Sequence, residues 1–264
     1  MSKALVAGPL KGMVRPASID EKARTSVAVT ARTACPGCLG PVAVRGIYEA
    51  LDDLQLLGKA IVIRGIGCAI GSISRIGVDS VLAAHGRAPD VATAIKRILK
   101  YPLVFTAQGD GDCFAIGAGS LMNAAARGEK ITVIMFNNTI YGTTGGQMGP
   151  TTTIGQKTTT TPEGRDPTAN GYPAHVPELM AALPGVAYSA RGSVNNPANL
   201  GRVKKYLKKA FQAQMEGLGL SLVEIIIACP TNWHLSPIDS LKFAEEKVLP
   251  EFPLGEFRNT GAQD

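Results

Sequence analysis

Little in this chain is charged, and no part of it is apolar for long. Asp, Glu, Lys and Arg make up 18% of the 264 residues, against 45% hydrophobic. That balance describes an ordinary buried core with surface left for extensive subunit contacts. No apolar run approaches the roughly 20 residues of a membrane span, so the membrane is not an expected partner. The N-terminus lacks the charged-then-apolar layout of a signal peptide, and the expectation is a soluble, cytoplasmic protein. The net charge of +6 comes without a basic-aromatic module, so nucleic acid is not an expected partner either. The excess reads as solvated surface, or as an attraction for an acidic protein or a phosphate-bearing substrate. Internal repeats and clear linkers are also missing. The expected organisation is an arm over 1–34, one α/β domain over 35–247 and a surface tail over 248–264.

What is present centres on two segments, Gln108-Gly109-Asp110-Gly111-Asp112 and Phe136-Asn137-Asn138-Thr139-Ile140-Tyr141-Gly142. Each follows an apolar run that reads as a strand, 103–107 before the first and 131–135 before the second. Residues 114–126 between them have the small, apolar character of a crossover helix. The result is a βαβ unit that gathers an acid, an amide and several glycines at the carboxyl ends of neighbouring parallel strands, where open α/β sheets bind ligands. Asp110 offers a carboxylate and Asn138 an amide oxygen, both hard ligands suited to Mg²⁺. The glycines let backbone N–H groups approach phosphate oxygens at a helix N-terminus. The unit therefore reads as a cradle for a metal-bridged diphosphate.

Around it, Ile47, Ala50, Leu51, Leu54 and Leu57 recur at helical spacing behind a Gly40-Pro41 start that suits a first helical turn. Residues 60–64 form a short strand ending in Gly65-Ile66-Gly67-Cys68. Val91, Ile95 and Ile98/Leu99 mark an amphipathic helix, and residues 185–190 and 222–228 two more strands. Between those strands a helix carries Leu200, Val203, Leu207, Ala210 and Phe211 on one face, and Lys204, Lys205, Lys208 and Lys209 on a solvated one. Ser236-Pro237-Ile238-Asp239 is a capping-box start for a last helix. Residues 143–174, rich in Thr, Gly and Pro, have almost no periodicity, and a stretch that long is functional or disordered. The pattern is a doubly wound, mainly parallel sheet flanked by helices.

Five cysteines occur. Cys35-Pro36-Gly37-Cys38 precedes the first helix, Cys68 ends the turn after the first strand, and Cys229-Pro230 ends the last strand. In a cytosolic chain such usage favours metal or redox chemistry over structural disulfides. The plain alternative makes Cys68 and Cys229 small core residues and Cys35/Cys38 a lone redox or zinc pair. A zinc ribbon would want a second close pair, which is missing. Four thiolates on loop ends would suit a cubane iron–sulfur cluster. Cys113, beside the diphosphate turn, reads as a packing residue.

These motifs, taken in order, resemble the β subunit of the 2-oxoacid:ferredoxin oxidoreductases, thiamine-diphosphate iron–sulfur enzymes. The resemblance runs from Cys35-Pro-Gly-Cys38 through Gly65-Ile-Gly-Cys68, His85-Gly-Arg-Ala88 and Gln108-Gly-Asp-Gly-Asp112. It continues through Asn137-Asn138-x-x-Tyr141-Gly142-x-Thr144-Gly-Gly-Gln147, Gly155-Gln-Lys-Thr-Thr-Thr-Thr161 and Cys229-Pro-Thr-Asn-Trp233. It covers about 35–235. It implies that Mg²⁺ is held by the Asp110 and Asn138 side chains and the Ile140 carbonyl, and that Gly109, Gly111 and Asp112 surround the diphosphate. Gly67, Cys68 and the His85-Gly86-Arg87 turn would line the cofactor site with Tyr141, Gly142 and Thr144. Outside the motif, His85 reads as a helix-cap or core histidine. The family's [4Fe–4S] cluster would fall on Cys35, Cys38, Cys68 and Cys229. Two departures stand out: Leu39 follows Cys38 where the family commonly has glycine, and the position of Cys113 is often aliphatic.

The activity so implied is coenzyme A-dependent oxidative decarboxylation of a 2-oxo acid, with electrons passed to ferredoxin. A branched-chain acid such as 2-oxoisovalerate is the first choice, on the Gly155–161 stretch, and 2-oxoglutarate the second. The glutamate that activates the cofactor's aminopyrimidine has no candidate on this chain, so it is expected on a partner α subunit carrying the pyrimidine domain. Two other readings remain. A non-redox thiamine-diphosphate decarboxylase or synthase would keep Asp110 and Asn138 but have no use for four cysteines. A zinc-containing α/β binding protein would hold zinc and neither iron nor thiamine diphosphate.

Overall fold

The computed structural model describes residues 34–68, 73, 78–99 and 101–261. Its strands are β1 (Ala60–Arg64), β2 (Asp79–Leu82), β3 (Leu103–Gly109), β4 (Thr132–Asn137), β5 (Ile140–Tyr141), β6 (Gln147–Met148), β7 (Val186–Ser193), β8 (Leu220–Ile226) and β9 (Gly255–Asn259). Seven of them form one sheet in the order β2-β1-β3-β4-β8-β7-β9. All its pairings are parallel except β7 with β9. Helices Ala118–Ala126 and Pro197–Met215 supply the crossovers from β3 to β4 and from β7 to β8.

Helices on both faces explain why the central strands read as continuous apolar runs rather than alternating ones. Consecutive residues serve opposite cores. Phe105 and Ile134 join Ile47, Leu51 and Phe211 on one side. Val104 and Val133 join Leu121 and Leu222 on the other. The Phe105 and Phe211 rings lie 5.7 Å apart and tie the sheet to the long helix. The first described helix, Gly40–Asp53, starts at Gly40-Pro41 and buries Ile47, Ala50 and Leu51 completely. The lysine face of Pro197–Met215 pairs with its neighbours, Lys204 with Glu49 at 2.6 Å and Lys209 with Glu256 at 2.8 Å. Such half-exposed pairs add little stability.

Four segments depart from the sequence reading. The expected 114–126 helix is two pieces, a π-helical turn over Asp112–Ile116 and a helix over Ala118–Ala126. Gly117 divides them, because its backbone packs where a side chain would meet the Asp112 and Gly86 carbonyls. Strand β2 went unpredicted, being a short edge strand with no buried residue to set an alternation. The expected tail is part of the sheet: Phe252 is fully buried and β9 pairs antiparallel with β7. Ser236 does cap a helix, its Oγ accepting from the Asp239 N–H at 3.1 Å, but β9 follows that helix. Apart from Ala34, the N-terminal arm lies outside the described residues.

The Thr/Gly/Pro-rich stretch is ordered by side chains rather than by regular structure. Arg165 is buried and spreads its guanidinium over the carbonyls of Thr152 (2.6 Å), Tyr172 (2.7 Å), Gly171 (2.9 Å) and Pro150 (3.2 Å). Five rigidly forked N–H donors on one residue make that possible. No described helix is long and apolar enough to cross a membrane.

Candidate functional site

The strand order reverses beside β1. The chain passes from β1 to β2 on one side and returns to β3 on the other. In doubly wound sheets the crevice outside the carboxyl ends at such a point is the binding position. The loops leaving β1, β3 and β4, with His85 from the turn after β2, enclose a cavity of about 120 Å³ there. Of the residues expected to bind cofactor, Gly67, Cys68, His85, Gly109, Asp110, Gly111, Asp112, Asn138, Ile140, Tyr141, Gly142 and Thr144 line it. Gly86 stands one layer back and donates its N–H to Asp112 Oδ1 at 2.8 Å. Arg87 takes another course, with Nη1 on Ser120 Oγ at 3.0 Å and on Asp90 at 3.5 Å. Ile66, Phe136, Thr143 and Ile227 also line the cavity; none of the four is among the expected cofactor-binding residues.

Asp112 is the latch of this cavity. Its Oδ1 accepts from His85 Nδ1 at 2.5 Å, from Gly86 N–H at 2.8 Å and from Ile66 N–H at 3.3 Å. Its Oδ2 accepts from Gln108 Nε2 at 2.7 Å. One buried carboxylate thus joins the loops after β1, β2 and β3, and its acceptor capacity is committed to protein donors. With Nδ1–H given to Asp112, Nε2 is the ring nitrogen left for other partners.

Asp110 is differently placed. It is 2% exposed, and its Oδ2 accepts from Thr151 Oγ1. Burial pushes its carboxyl up to about 7, helped by repulsion from Glu224 and opposed by the Thr151 and Gly111 donors. Among the described residues it has no cationic partner. A buried carboxylate in that state suits a divalent cation, which would offset the desolvation cost. Asn138 and Ile140 meet the same cavity because Thr139 between them has φ +62°. That conformation is strained for a β-branched residue. Three bonds hold it: Thr139 N–H to Asn137 Oδ1 (2.8 Å), Thr152 Oγ1 to Thr139 O (2.5 Å) and Gln156 Nε2 to Thr139 Oγ1 (2.8 Å). Added Cβ atoms at Gly67 or Gly109 would meet nothing within 4 Å, so both glycines face open space in this cradle.

Cys35, Cys38, Cys68 and Cys229 line a second cavity, of about 450 Å³. Cys38 Sγ accepts from Gly40 N–H at 3.4 Å and Cys229 Sγ from Asn232 Nδ2 at 3.5 Å, while Cys68 Sγ lies 3.0 Å from Thr143 Oγ1. Burial pushes the Cys38 thiol up to about 11; the Gly40 N–H opposes this, and the other three cysteines add to it. Among the described residues, no three Cys, His, Asp or Glu side chains converge on a single metal ion. A cubane, with an iron at each thiolate, suits four sulfurs standing around a cavity. Cys113 lies apart in the core, its thiol raised by burial and then by Asp112, Glu224 and Asp110. The two cavities share seven wall residues, Gly67, Cys68, Phe136, Asn138, Gly142, Thr143 and Ile227.

Comparison with known proteins gives the family. Residues 66–225 match the family model of the thiamine pyrophosphate enzyme C-terminal TPP binding domain. A 2-oxoglutarate synthase subunit KorB of Archaeoglobus fulgidus is 33% identical over 80% of this chain and 75% of its own length. This chain belongs to the 2-oxoacid:ferredoxin oxidoreductase family. Within that family a ketoisovalerate oxidoreductase subunit VorA of Methanothermobacter marburgensis is 39% identical over 89% of this chain. The chain spans about half the length of that relative and of its counterpart in Methanothermobacter thermautotrophicus. Among solved structures, a 2-oxoglutarate:ferredoxin oxidoreductase from Magnetococcus marinus, with 2-oxoglutarate, coenzyme A and succinyl-CoA bound, superposes with a TM-score of 0.69. That match has 25% identity and covers 87% of this chain and 82% of the other.

Proposed function

We propose that the chain is the β-type subunit of a coenzyme A-dependent 2-oxoacid:ferredoxin oxidoreductase, with thiamine diphosphate, Mg²⁺ and one [4Fe–4S] cluster. The observation that carries the proposal is the shared wall: a diphosphate-type cradle and a four-thiol cavity meet at Cys68, Asn138 and Gly142. A non-redox relative would have no need of that adjacency. Asp110, Asn138 and the Ile140 carbonyl would hold Mg²⁺, and Cys35, Cys38, Cys68 and Cys229 the cluster.

Bound thiamine diphosphate supplies the electron sink on which a 2-oxo acid loses CO₂. The chain's own residues bind and orient. Asp112 fixes the three loops that enclose the cofactor's tail, and Thr139 turns Asn138 and Ile140 toward it. His85, held at Nδ1 by Asp112, stands at the cavity wall. Among the described residues, Asp110 and Asp112 are the carboxylates lining the cavity; on this reading Asp110 serves the metal and Asp112 the latch. The acid that activates the aminopyrimidine therefore belongs to an α subunit carrying the pyrimidine domain. Ferredoxin, coenzyme A and the 2-oxo acid complete the set of partners. A branched-chain acid such as 2-oxoisovalerate is favoured over 2-oxoglutarate, in line with 39% against 33% identity to the two kinds of relative. Open thiols of this kind fit a reducing, cytoplasmic setting.

The test is to purify the chain anaerobically with its partner subunit and offer a panel of 2-oxo acids with coenzyme A and a viologen acceptor. Reduction with a branched-chain acid, in a brown complex containing iron and sulfide, is the expected result. A colourless, iron-free complex that decarboxylates without reducing the dye would overturn it.

A further inference from the structure

The turn Pro230–Trp233, directly after Cys229, reaches both halves of the site. Asn232 Nδ2 donates to the Gly142 carbonyl at 3.1 Å and to Cys229 Sγ at 3.5 Å. An amide NH₂ carries two hydrogens, so both bonds can be made at once. Both neighbours are acceptors, which fixes the amide with its nitrogen toward them. One residue further on, Trp233 Nε1–H donates to the Asn138 carbonyl at 3.1 Å. The approach is close: a Cβ on Gly142 would stand 3.2 Å from Asn232 Nδ2 and 3.1 Å from Cys68 Sγ. A single turn thus holds a thiol of the cysteine cavity and the loop that carries Asn138.

We propose that Asn232 is a positioning residue that sets the reduction potential of a cluster bound through Cys229, while fixing that cluster's distance from the cofactor loop. This rests on the cluster assignment above. Each one-electron reduction adds a negative charge to the cluster and its thiolates, the electron coming from the oxidised substrate in turnover or from dithionite in a titration. An N–H aimed at a ligating sulfur stabilises the more negative form and raises the potential; hydrogen bonds to sulfur are among the protein's main controls on clusters. The backbone N–H of Gly40 on Cys38 acts in the same sense but cannot be removed by a side-chain change. Thr143 Oγ1, 3.0 Å from Cys68 Sγ, is a second side-chain contact; Asn232 is the side-chain donor on Cys229 that substitution can reach.

The test is a dithionite titration, followed by electron paramagnetic resonance, of the anaerobically purified complex. Wild type is compared with Asn232→Ala, which removes the donor, and Asn232→Asp, which keeps the shape but puts a negative acceptor there. Both variants should retain wild-type iron and sulfide, with midpoints more negative than wild type and Asp the lower of the two. Unchanged midpoints in fully loaded variants would overturn the inference, as would loss of the cluster from both. Absence of iron and sulfide from the wild-type complex would instead remove the cluster assignment, and the inference with it.

Discussion

Asp112 and His85 are joined at 2.5 Å in the wall of the cavity, Oδ1 to Nδ1, although they come from turns after different strands. The pair does two things at once. It fixes the His85 ring through Nδ1, and it helps hold the loops after β1, β2 and β3 together. Substituting Asp112→Asn replaces an acceptor-only group with one whose NH₂ must face at least one of the four N–H donors around it. A buried unsatisfied donor costs about 1–3 kcal/mol. Urea unfolding should show a loss of that size, and calorimetry a drop of about tenfold or more in thiamine diphosphate affinity, as for other residues that orient a ligand shell. Wild-type affinity in a folded variant would show that Asp112 does not organise the cavity.

Asp110→Asn should act oppositely on the two properties. The carboxylate is buried without a cation among the described residues, with Thr151 as its side-chain donor. The amide removes a costly buried charge, so the apo chain should be at least as stable as wild type at neutral pH. Mg²⁺-dependent retention of thiamine diphosphate should fall by more than about tenfold. Thermal melts of apo and loaded protein separate the effects: the wild-type gain on adding Mg²⁺ and cofactor should shrink or vanish in the variant. An undiminished gain would refute Asp110 as the metal ligand.

The contrast between these two acids shows where the sequence was readable. Gln108-Gly-Asp-Gly-Asp112 and Asn137-Asn138 follow strong apolar runs, so their place at strand ends could be read locally. The four cysteines sit at loop ends, but they come from three distant segments, Cys35 and Cys38 from one turn and Cys68 and Cys229 from two others, so it took the resemblance to assign them to one cluster. Nothing local to Asp112 showed that Gln108, His85, Gly86 and Ile66 would claim its oxygens. Thr139 at φ +62° was invisible too, since its strain is held by Thr152 and Gln156 from a stretch with no periodicity. Strands β2 and β9 escaped because edge strands are half-exposed and carry little alternation.

Arg191 is the least legible feature and makes the strongest stability prediction. It is fully buried, bonded through Nε to Glu224 at 2.5 Å and through both terminal nitrogens to Glu178 at 2.7 Å. Its guanidinium packs 5.2 Å from the Phe252 and Phe257 rings, fastening the C-terminal strand to the sheet. Removing one partner of a buried ion pair costs about 3–5 kcal/mol, because the other charge is left uncompensated. Arg191→Met should be destabilised by that amount at neutral pH. Burial tends to raise Glu178, yet the Arg191 bonds outweigh it and hold the carboxyl below its ordinary range; burial raises Glu224 in spite of Arg191. Without the arginine both acids would titrate higher than when unfolded, so the folded variant would take up protons more readily as pH falls. Its deficit should therefore narrow between about pH 7 and 5 in denaturant titrations. A deficit independent of pH would point to lost packing alone.

Cys229→Ser tests the cluster ligand set without disturbing the core. Cys229 ends the segment after β8, at the wall of the four-thiol cavity, and its Sγ contact is the Asn232 amide. Serine is close in size and can accept the same bond, so unfolding by urea should change by less than about 1 kcal/mol. A hydroxyl is a far poorer ligand for iron than a thiolate, so iron and sulfide in the anaerobically prepared complex should fall well below wild type, with coenzyme A-dependent viologen reduction lost alongside. The same substitution at Cys113, which is buried in the core and lines neither cavity, should leave iron content unchanged and cost stability instead, by placing a hydroxyl among apolar side chains. If Cys229→Ser keeps full iron and sulfide while Cys113→Ser loses them, the ligand set would have to be redrawn around the other side of the β3 turn.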